Sequence, residues 1–321
     1  MLKSNKPLIE YIINFLEYCE IEKGLSQLSI KSYSRFINIF KNWLVNNGYR
    51  SLKPHQLTND HIWKYRVYLS RYTNLNTKKG LKKSTQNYYL IALRNFLSFL
   101  ADKDIQTLSI DKVKLQKDNK RERIVKFLSL NQLQKLFNMP DIKIMGGLRN
   151  RAILEVLFST GVRVSELVSL NRNQINLKNI NNMDNYELNI TGKGDRPRTI
   201  YFSQRALYWL KKYLDSRKDN NKALFINYRP HKKDIDRRLT VRSIERLVNK
   251  YAKMAGLSVL TTPHVLRHTY ATDLLNQGVD LRIIQEFLGH KSIVTTQVYT
   301  HVTNKRLKDI HKSFHSGNKL Q

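Results

Sequence analysis

The segment SIKSYSRFINIFKNWLVNNG, residues 29–48, places Tyr33, Phe36, Phe40 and Trp43 at three- and four-residue steps. Only a helix gathers side chains at that spacing onto one face, so the stripe commits the segment to a helix with one buried side. Ser29 reads as its N-cap and Gly48 as its stop. The plan recurs in STQNYYLIALRNFLSFLADK, residues 84–103. There Ser84 reads as the cap, and Tyr88 or Tyr89, Ala92, Leu93, Phe96, Leu97 and Leu100 share one side. TNDHIWKYRVYLSRY adds a shorter helix after Thr58. No convincing strand interrupts these segments, so residues 1–112 read as a small all-helical bundle.

The periodicity then fails. KVKLQKDNKRERIVKFL, residues 112–128, is dense in charge and poor in apolar spacing, and residues 113–127 read as a basic, solvated linker that a nucleic-acid backbone could cross. A second domain, residues 128–321, begins at SLNQLQKLF with Ser129 as cap. LRNRAILEVLFSTG is a helix closed by Gly161. In NYELNITGKGDRPRTIYFS the period changes from helical to two, with Leu188 and Ile190, then Ile200 and Phe202, flanking a Gly-Lys-Gly turn. That is a β-hairpin. Helices resume through RALYWLKKYLDSR, TVRSIERLVNKYAKMAG and onward. The fold class is therefore mainly α, with one small antiparallel sheet in the second domain.

Charge narrows the partner. Lys+Arg number 57 against 25 Asp+Glu, a formal net charge of +32. Such self-repulsion costs stability unless a polyanion neutralises it, which favours nucleic acid over a merely soluble basic surface. The single cysteine, Cys19, excludes an intramolecular disulfide framework and a cysteine-based zinc site, and its apolar neighbours make it a small buried hydrophobe. The N-terminus lacks signal-peptide architecture, and no apolar run is long enough for a membrane helix. An intracellular protein without a membrane partner is expected.

Several residue sets could carry chemistry. In STGVRVSELVSL, Arg163 falls at the start of a helix after Gly161, where an anion could sit on both helix N–H groups and the guanidinium. Glu166, one turn on, could hold that guanidinium, or the two form an ordinary surface ion pair. In TTPHVLRHTYATDLLNQG, Thr262 caps and Pro263 takes the first helical position. His264 and Arg267 then share a face and can converge on a phosphate. His264 and His268 also have metal-ligand spacing, but no carboxylate completes a site, so no metal is expected and His268 reads as structural. Asp280 caps DLRIIQEFLG, and His290 follows its closing Gly289. Lys193 sits between glycines at the hairpin tip, suited to delivering a proton or touching phosphate, or is a solvent-exposed lysine in a simple glycine-rich turn. Tyr299 lies in a segment with mixed strand and helix signals.

In chain order these residues are Arg163, Lys193, His264, Arg267, His290 and Tyr299, within GVRVSEL, GKG, HVLRH and LGH. That series resembles the tyrosine recombinase (phage integrase) family, and residues 262–302 look most like its Xer-type members. The resemblance runs over nearly the whole chain. RPRTIYFS departs from the usual end of the hairpin in Xer-type proteins and puts the subgroup in doubt more than the activity.

The resemblance implies a helical N-terminal DNA-binding domain and a catalytic domain that together clamp duplex DNA. It implies cleavage and rejoining through a 3′-phosphotyrosine on Tyr299, with the arginines on the phosphoryl oxygens, the histidines as hydrogen-bond or proton partners, and Lys193 as acid. No metal, ATP or other cofactor is needed. The expected partners are double-stranded DNA carrying specific sites and three further protomers, alike or of a related recombinase, joined through a C-terminal helix. The setting is the cytoplasm of a prokaryotic cell, or a phage or mobile element. Lys31 and Arg35, on the face opposite the apolar stripe, and Lys82, Lys83 and Ser84 at a helix start are candidate DNA contacts. Two alternatives stay open. A binding module without chemistry would form no covalent adduct, and a type IB topoisomerase would relax DNA lacking any recombination site.

Overall fold

The computed structural model describes residues 1–73, 80–116, 126–175, 186–192, 197–228, 236–257 and 260–290. Lys193, Tyr299, the centre of the expected linker and the C-terminal segment lie outside the described residues. The chain divides into two compact units, Met1–Arg121 and Glu122–Gln321.

Among the described residues, the first unit holds four α-helices: α1 (Ile12–Ile21), α2 (Gln27–Asn46), α3 (Asn59–Arg71) and α4 (Lys83–Asp102). The apolar stripes meet in one core, where Phe15, Phe40, Tyr65 and Phe96 are fully buried. Phe40 meets Tyr65 edge to face at 4.9 Å, a geometry that adds to simple area burial. Cys19 is buried in the same core. Thr58 caps α3 as expected, its Oγ1 accepting from the His61 N–H at 3.5 Å.

Two caps differ from expectation. Ser26, not Ser29, precedes α2, and Lys82, not Ser84, precedes α4. Ser26 and Ser29 stand three apart with their hydroxyls 3.0 Å from each other. Either could cap, and the helix extends to the earlier one because no breaker lies between them. Order also reaches into the charged stretch. Val113 is buried in the first core, and Asn87 exchanges two 2.9 Å hydrogen bonds with the Gln116 backbone.

The second unit contains α5 (Leu130–Asn138), α6 (Met145–Thr160), α7 (Val164–Ser169), the hairpin strands β1 (Tyr186–Thr191) and β2 (Pro197–Phe202), α8 (Gln204–Asp215), α9 (Val241–Met254), α10 (Pro263–Asn276) and α11 (Leu281–Leu288). The helix α6 is the hub. Ala152, Ile153, Leu154, Val156 and Leu157 are all buried, because α8, α10 and β2 pack around it. The strands pair antiparallel with Leu188 opposite Ile200 and Ile190 opposite Arg198. That register buries Ile190, Ile200 and Phe202, so the hairpin closes one side of the core. The fold is thus mainly helical, with one small antiparallel sheet among the described residues.

Candidate active site

Two left-handed glycines build the frame. Gly161 ends α6 at φ +58°, and a Cβ there would lie 2.5 Å from Tyr270 Cδ1. Gly289 ends α11 at φ +59°, where a Cβ would lie 2.7 Å from Arg198 Cδ. Side chains rarely adopt that backbone, and here they also lack room. Each cap leaves carbonyls pointing out of a helix C-terminus, the negative end of its dipole and a natural seat for a cation.

Arg267 occupies both seats. Thr262 caps α10 with Pro263 at its first position, as the sequence indicates, and Arg267 follows on the inward face, only 3% exposed. Its Nη1 donates to the Gly161 carbonyl at 2.5 Å, and its Nη2 donates to the Leu288 carbonyl. Arg163 donates from Nη2 to the next carbonyl, that of Gly289, at 3.0 Å. The two guanidiniums are therefore anchored on consecutive residues of one helix end, directly before His290.

Glu166 completes the support of Arg163. The Arg163 backbone N–H donates to Oε2 at 2.7 Å and its Nη1 donates to Oε1 at 2.9 Å. Glu166 thus takes the N–H of the N-cap residue itself, and the Arg163 guanidinium stays within reach of an external anion.

The same carboxylate receives a second fork. Arg198 of β2 donates from Nη1 to Oε1 at 2.9 Å and from Nη2 to Oε2 at 2.8 Å. Burial pushes the Glu166 pKa up, but the hydrogen bonds from Arg198 and Arg163 outweigh it and hold the carboxyl below its usual range. Glu166 is thus ionised and shared.

The histidines enter this field uncharged. Burial and then Arg267, Arg163, His268 and Arg198 push His290 down to about 3. Burial, His264 and Arg267 push His268 down to about 4. Partial desolvation, then Arg267 and Arg163, lower His264, against an opposing pull from Glu245. His264 stacks on His268 with ring centroids 5.7 Å apart. Among the described residues, no three His, Cys, Asp or Glu side chains gather as a metal would require.

Three guanidiniums, those of Arg163, Arg198 and Arg267, thus act on one neighbourhood, with the Glu166 carboxylate among them and Glu245 acting on His264. A surplus of fixed positive charge with neutral imidazoles beside it suits a phosphate monoanion. The structure brings Arg163, Glu166, His264, Arg267 and His290 together, while Lys193 and Tyr299 lie outside the described residues.

The candidate DNA contacts sit on the first unit's surface. Lys31, Arg35, Lys82 and Lys83 are exposed and Ser84 is half-buried in the first turn of α4. Two features were not anticipated from the sequence. Arg198 carries no local signal, since it lies in what reads as a hairpin strand. Arg242, Arg246, Lys250 and Lys253 line a groove along α9 that reaches Thr262 at the start of α10. The i, i+4, i+8 spacing of the first three was a readable stripe. No described helix is long and apolar enough to cross a membrane.

Comparison with known proteins agrees with this picture. The phage integrase family matches residues 126–306, and the N-terminal SAM-like domain of phage integrases matches residues 12–104. Tyrosine recombinase XerC of Bacillus subtilis (strain 168) is 35% identical over 310 residues, covering 94% of each chain. Tyrosine recombinase XerD of Oceanobacillus iheyensis is 33% identical over 316 residues, covering 96% of this chain and 99% of the relative. The crystal structure of XerH site-specific recombinase bound to palindromic difH substrate, a post-cleavage complex, superposes with TM-score 0.73 at 23% identity, covering 96% of this chain and 97% of that one. A lambda integrase dimer bound to a COC′ core site gives TM-score 0.65 at 16% identity over 91% of this chain and 76% of that one. At those identities the structural likeness speaks for the fold alone.

Proposed function

The chain belongs to the phage integrase family of tyrosine recombinases, as a site-specific DNA recombinase, and on that premise we propose that it works through a 3′-phosphotyrosine on Tyr299. In this reading Arg163 and Arg267 grip the non-bridging oxygens of one backbone phosphate with rigid, permanently charged forks. The Tyr299 oxygen attacks phosphorus in line, the bond to the 5′ oxygen breaks, and Lys193 gives that oxygen its proton. Tyrosine is protonated near neutral pH, so its proton must leave as attack proceeds. The neutral imidazoles of His264 and His290 are suited to donate N–H to the phosphoryl oxygens, and His264, the less depressed of the two, is the one placed to help manage protons. The phosphodiester energy stays in the protein–DNA bond, so a 5′-hydroxyl from a second duplex reverses the attack without ATP or metal.

Four protomers on two paired sites, alike or mixed with a related recombinase, would give the exchange its geometry. The segment NKRLKDIHKSF would reach head to tail into a neighbour. The net charge of +32 supplies salt-sensitive affinity for duplex, with contacts from Lys31, Arg35, Lys82, Lys83, Ser84 and the basic groove along α9. In this reading the work is done in the cytoplasm of a prokaryotic cell, with the chain encoded by that cell or by a phage or mobile element.

The observation that supports this reading most is the anchoring of Arg163 and Arg267 on the consecutive carbonyls of Gly289 and Leu288. The test is to incubate the protein with a nicked suicide duplex carrying its site and separate the products under denaturing conditions. A covalent adduct that maps to Tyr299, and is absent from Tyr299→Phe while site binding persists, is expected. An adduct in Tyr299→Phe removes that residue from its role.

A further inference from the structure

We propose that Arg198 is a positioning residue for strand cleavage: it holds Glu166 so that the carboxylate orients Arg163 without neutralising it. The inference rests on the recombinase reading above.

Three observations converge. The first is the fork. Arg198 engages both Glu166 oxygens at 2.9 and 2.8 Å, which fixes the plane of the carboxylate as one hydrogen bond could not. In that plane Oε1 meets Arg163 Nη1 and Oε2 meets the Arg163 N–H. The second is the opposite wall. Arg198 Nε donates to the Phe287 carbonyl at 3.3 Å, and its Cδ fills the space that a Gly289 side chain would need. Gly289 supplies the carbonyl that anchors Arg163 Nη2. Arg198 therefore packs on both supports of the same guanidinium. The third is burial. The Arg198 and Glu166 side chains are 8% and 6% exposed, whereas Arg163 is 27% exposed. Arg198 lies behind the site and Arg163 in front of it.

The charge arithmetic gives the arrangement its purpose. A carboxylate paired with Arg163 alone would compete with a phosphate for the same guanidinium. Shared with a second, buried guanidinium, it keeps its orienting hydrogen bonds and gives up part of that competition. Without Arg198 the carboxylate turns wholly onto Arg163, and its own burial is less compensated.

A double-mutant cycle on covalent adduct formation tests this. Arg198→Met should slow single-turnover adduct formation by about 100-fold, the scale of losing one aligned donor at a phosphoryl centre. Its affinity for the site should stay within about threefold, since most affinity comes from other phosphate contacts. Arg198→Lys, which keeps the charge and loses the fork, should fall between Arg198→Met and the parent. The decisive arm is Glu166→Gln. If Arg198 acts through Glu166, then Glu166→Gln combined with Arg198→Met is no slower than Glu166→Gln alone. Losses that multiply, or an Arg198→Met rate equal to the parent, overturn the proposal. Should Arg198→Met fail to melt cooperatively, the same cycle with Arg198→Lys decides by the same criterion. Failure of the recombinase reading looks different, because the unsubstituted protein would then form no adduct.

Discussion

Arg163 and Arg267 hang from consecutive carbonyls, those of Gly289 and Leu288, at the end of one helix. A helix C-terminus has no use for its last carbonyls within the helix, so it can hold two cations that would otherwise repel each other. The pair is thereby arranged before any phosphate arrives, and the cost of bringing like charges together is met by folding.

That pre-arrangement depends on the guanidinium fork. Arg267→Lys retains charge but cannot reach the Gly161 and Leu288 carbonyls together while facing a phosphate. Single-turnover adduct formation should fall by about 100- to 1000-fold in Arg267→Lys and in Arg163→Lys. Gel-shift affinity for the site should change only a few-fold. An Arg267→Lys variant that cleaves at the parental rate would show that charge alone suffices.

The glycine caps should be intolerant. Gly161→Ala sets a Cβ against the Tyr270 ring at a left-handed φ, which should cost about 1–3 kcal/mol. In a unit of this size the melting temperature falls by about 2–4 °C per kcal/mol. Gly80 has no positive φ, and an added Cβ would meet nothing within 4 Å. It is the matched control, and Gly80→Ala should leave the melt unchanged.

Acid should destabilise the protein through its histidines. An unfolded histidine titrates near 6.5, whereas folded His268 and His290 titrate at about 4 and about 3, with His264 also lowered. Between those values the unfolded chain binds more protons, so stability is full above about pH 6.5 and is lost as pH falls toward 4 and 3. Melting curves at pH 7.5 and 5.0 should differ by several degrees. Imidazole resonances of His268 and His290 in DNA-free protein should stay in their neutral position at pH 5.5, and protonated signals there would refute the assignment.

Lys193 should matter only to the leaving group. Lys193→Ala is expected to cut slowly on ordinary DNA and far closer to the parental rate when the scissile 5′ oxygen is replaced by sulfur, which departs without a proton. Equal impairment on both substrates would remove the lysine from the role of acid.

The basic groove along α9 should read out in salt dependence. Arg246→Ala and Lys250→Ala should each lower the slope of log affinity against log salt by about 1, the signature of one lost phosphate contact. The loss should be similar for specific and random duplex. A slope unchanged by either substitution would assign the groove to solvent.

Much of this molecule could be read directly from its residues. Thr58, Ser129, Thr262 and Asp280 begin helices where hydroxyl and carboxylate chemistry says they should, and Gly161 and Gly289 end them. These are local events, settled within one turn of chain. The departures are local too: Ser26 in place of Ser29 and Lys82 in place of Ser84 start each helix two or three residues early, with no breaker in between.

The order of Arg163, His264, Arg267 and His290 could likewise be read, but not what holds them. The hydrogen bond from Arg163 to Gly289 spans 126 positions, and that from Arg267 to Gly161 spans 106. Arg198 is an unremarkable hairpin residue until β2 packs against α6 and α11 and sets its fork on Glu166. Sequence determined which groups are present and which helices carry them, because capping and periodicity act between near neighbours. Only the tertiary structure decided which guanidinium faces outward and which stays behind it, because that follows from where distant helix ends expose their unpaired carbonyls.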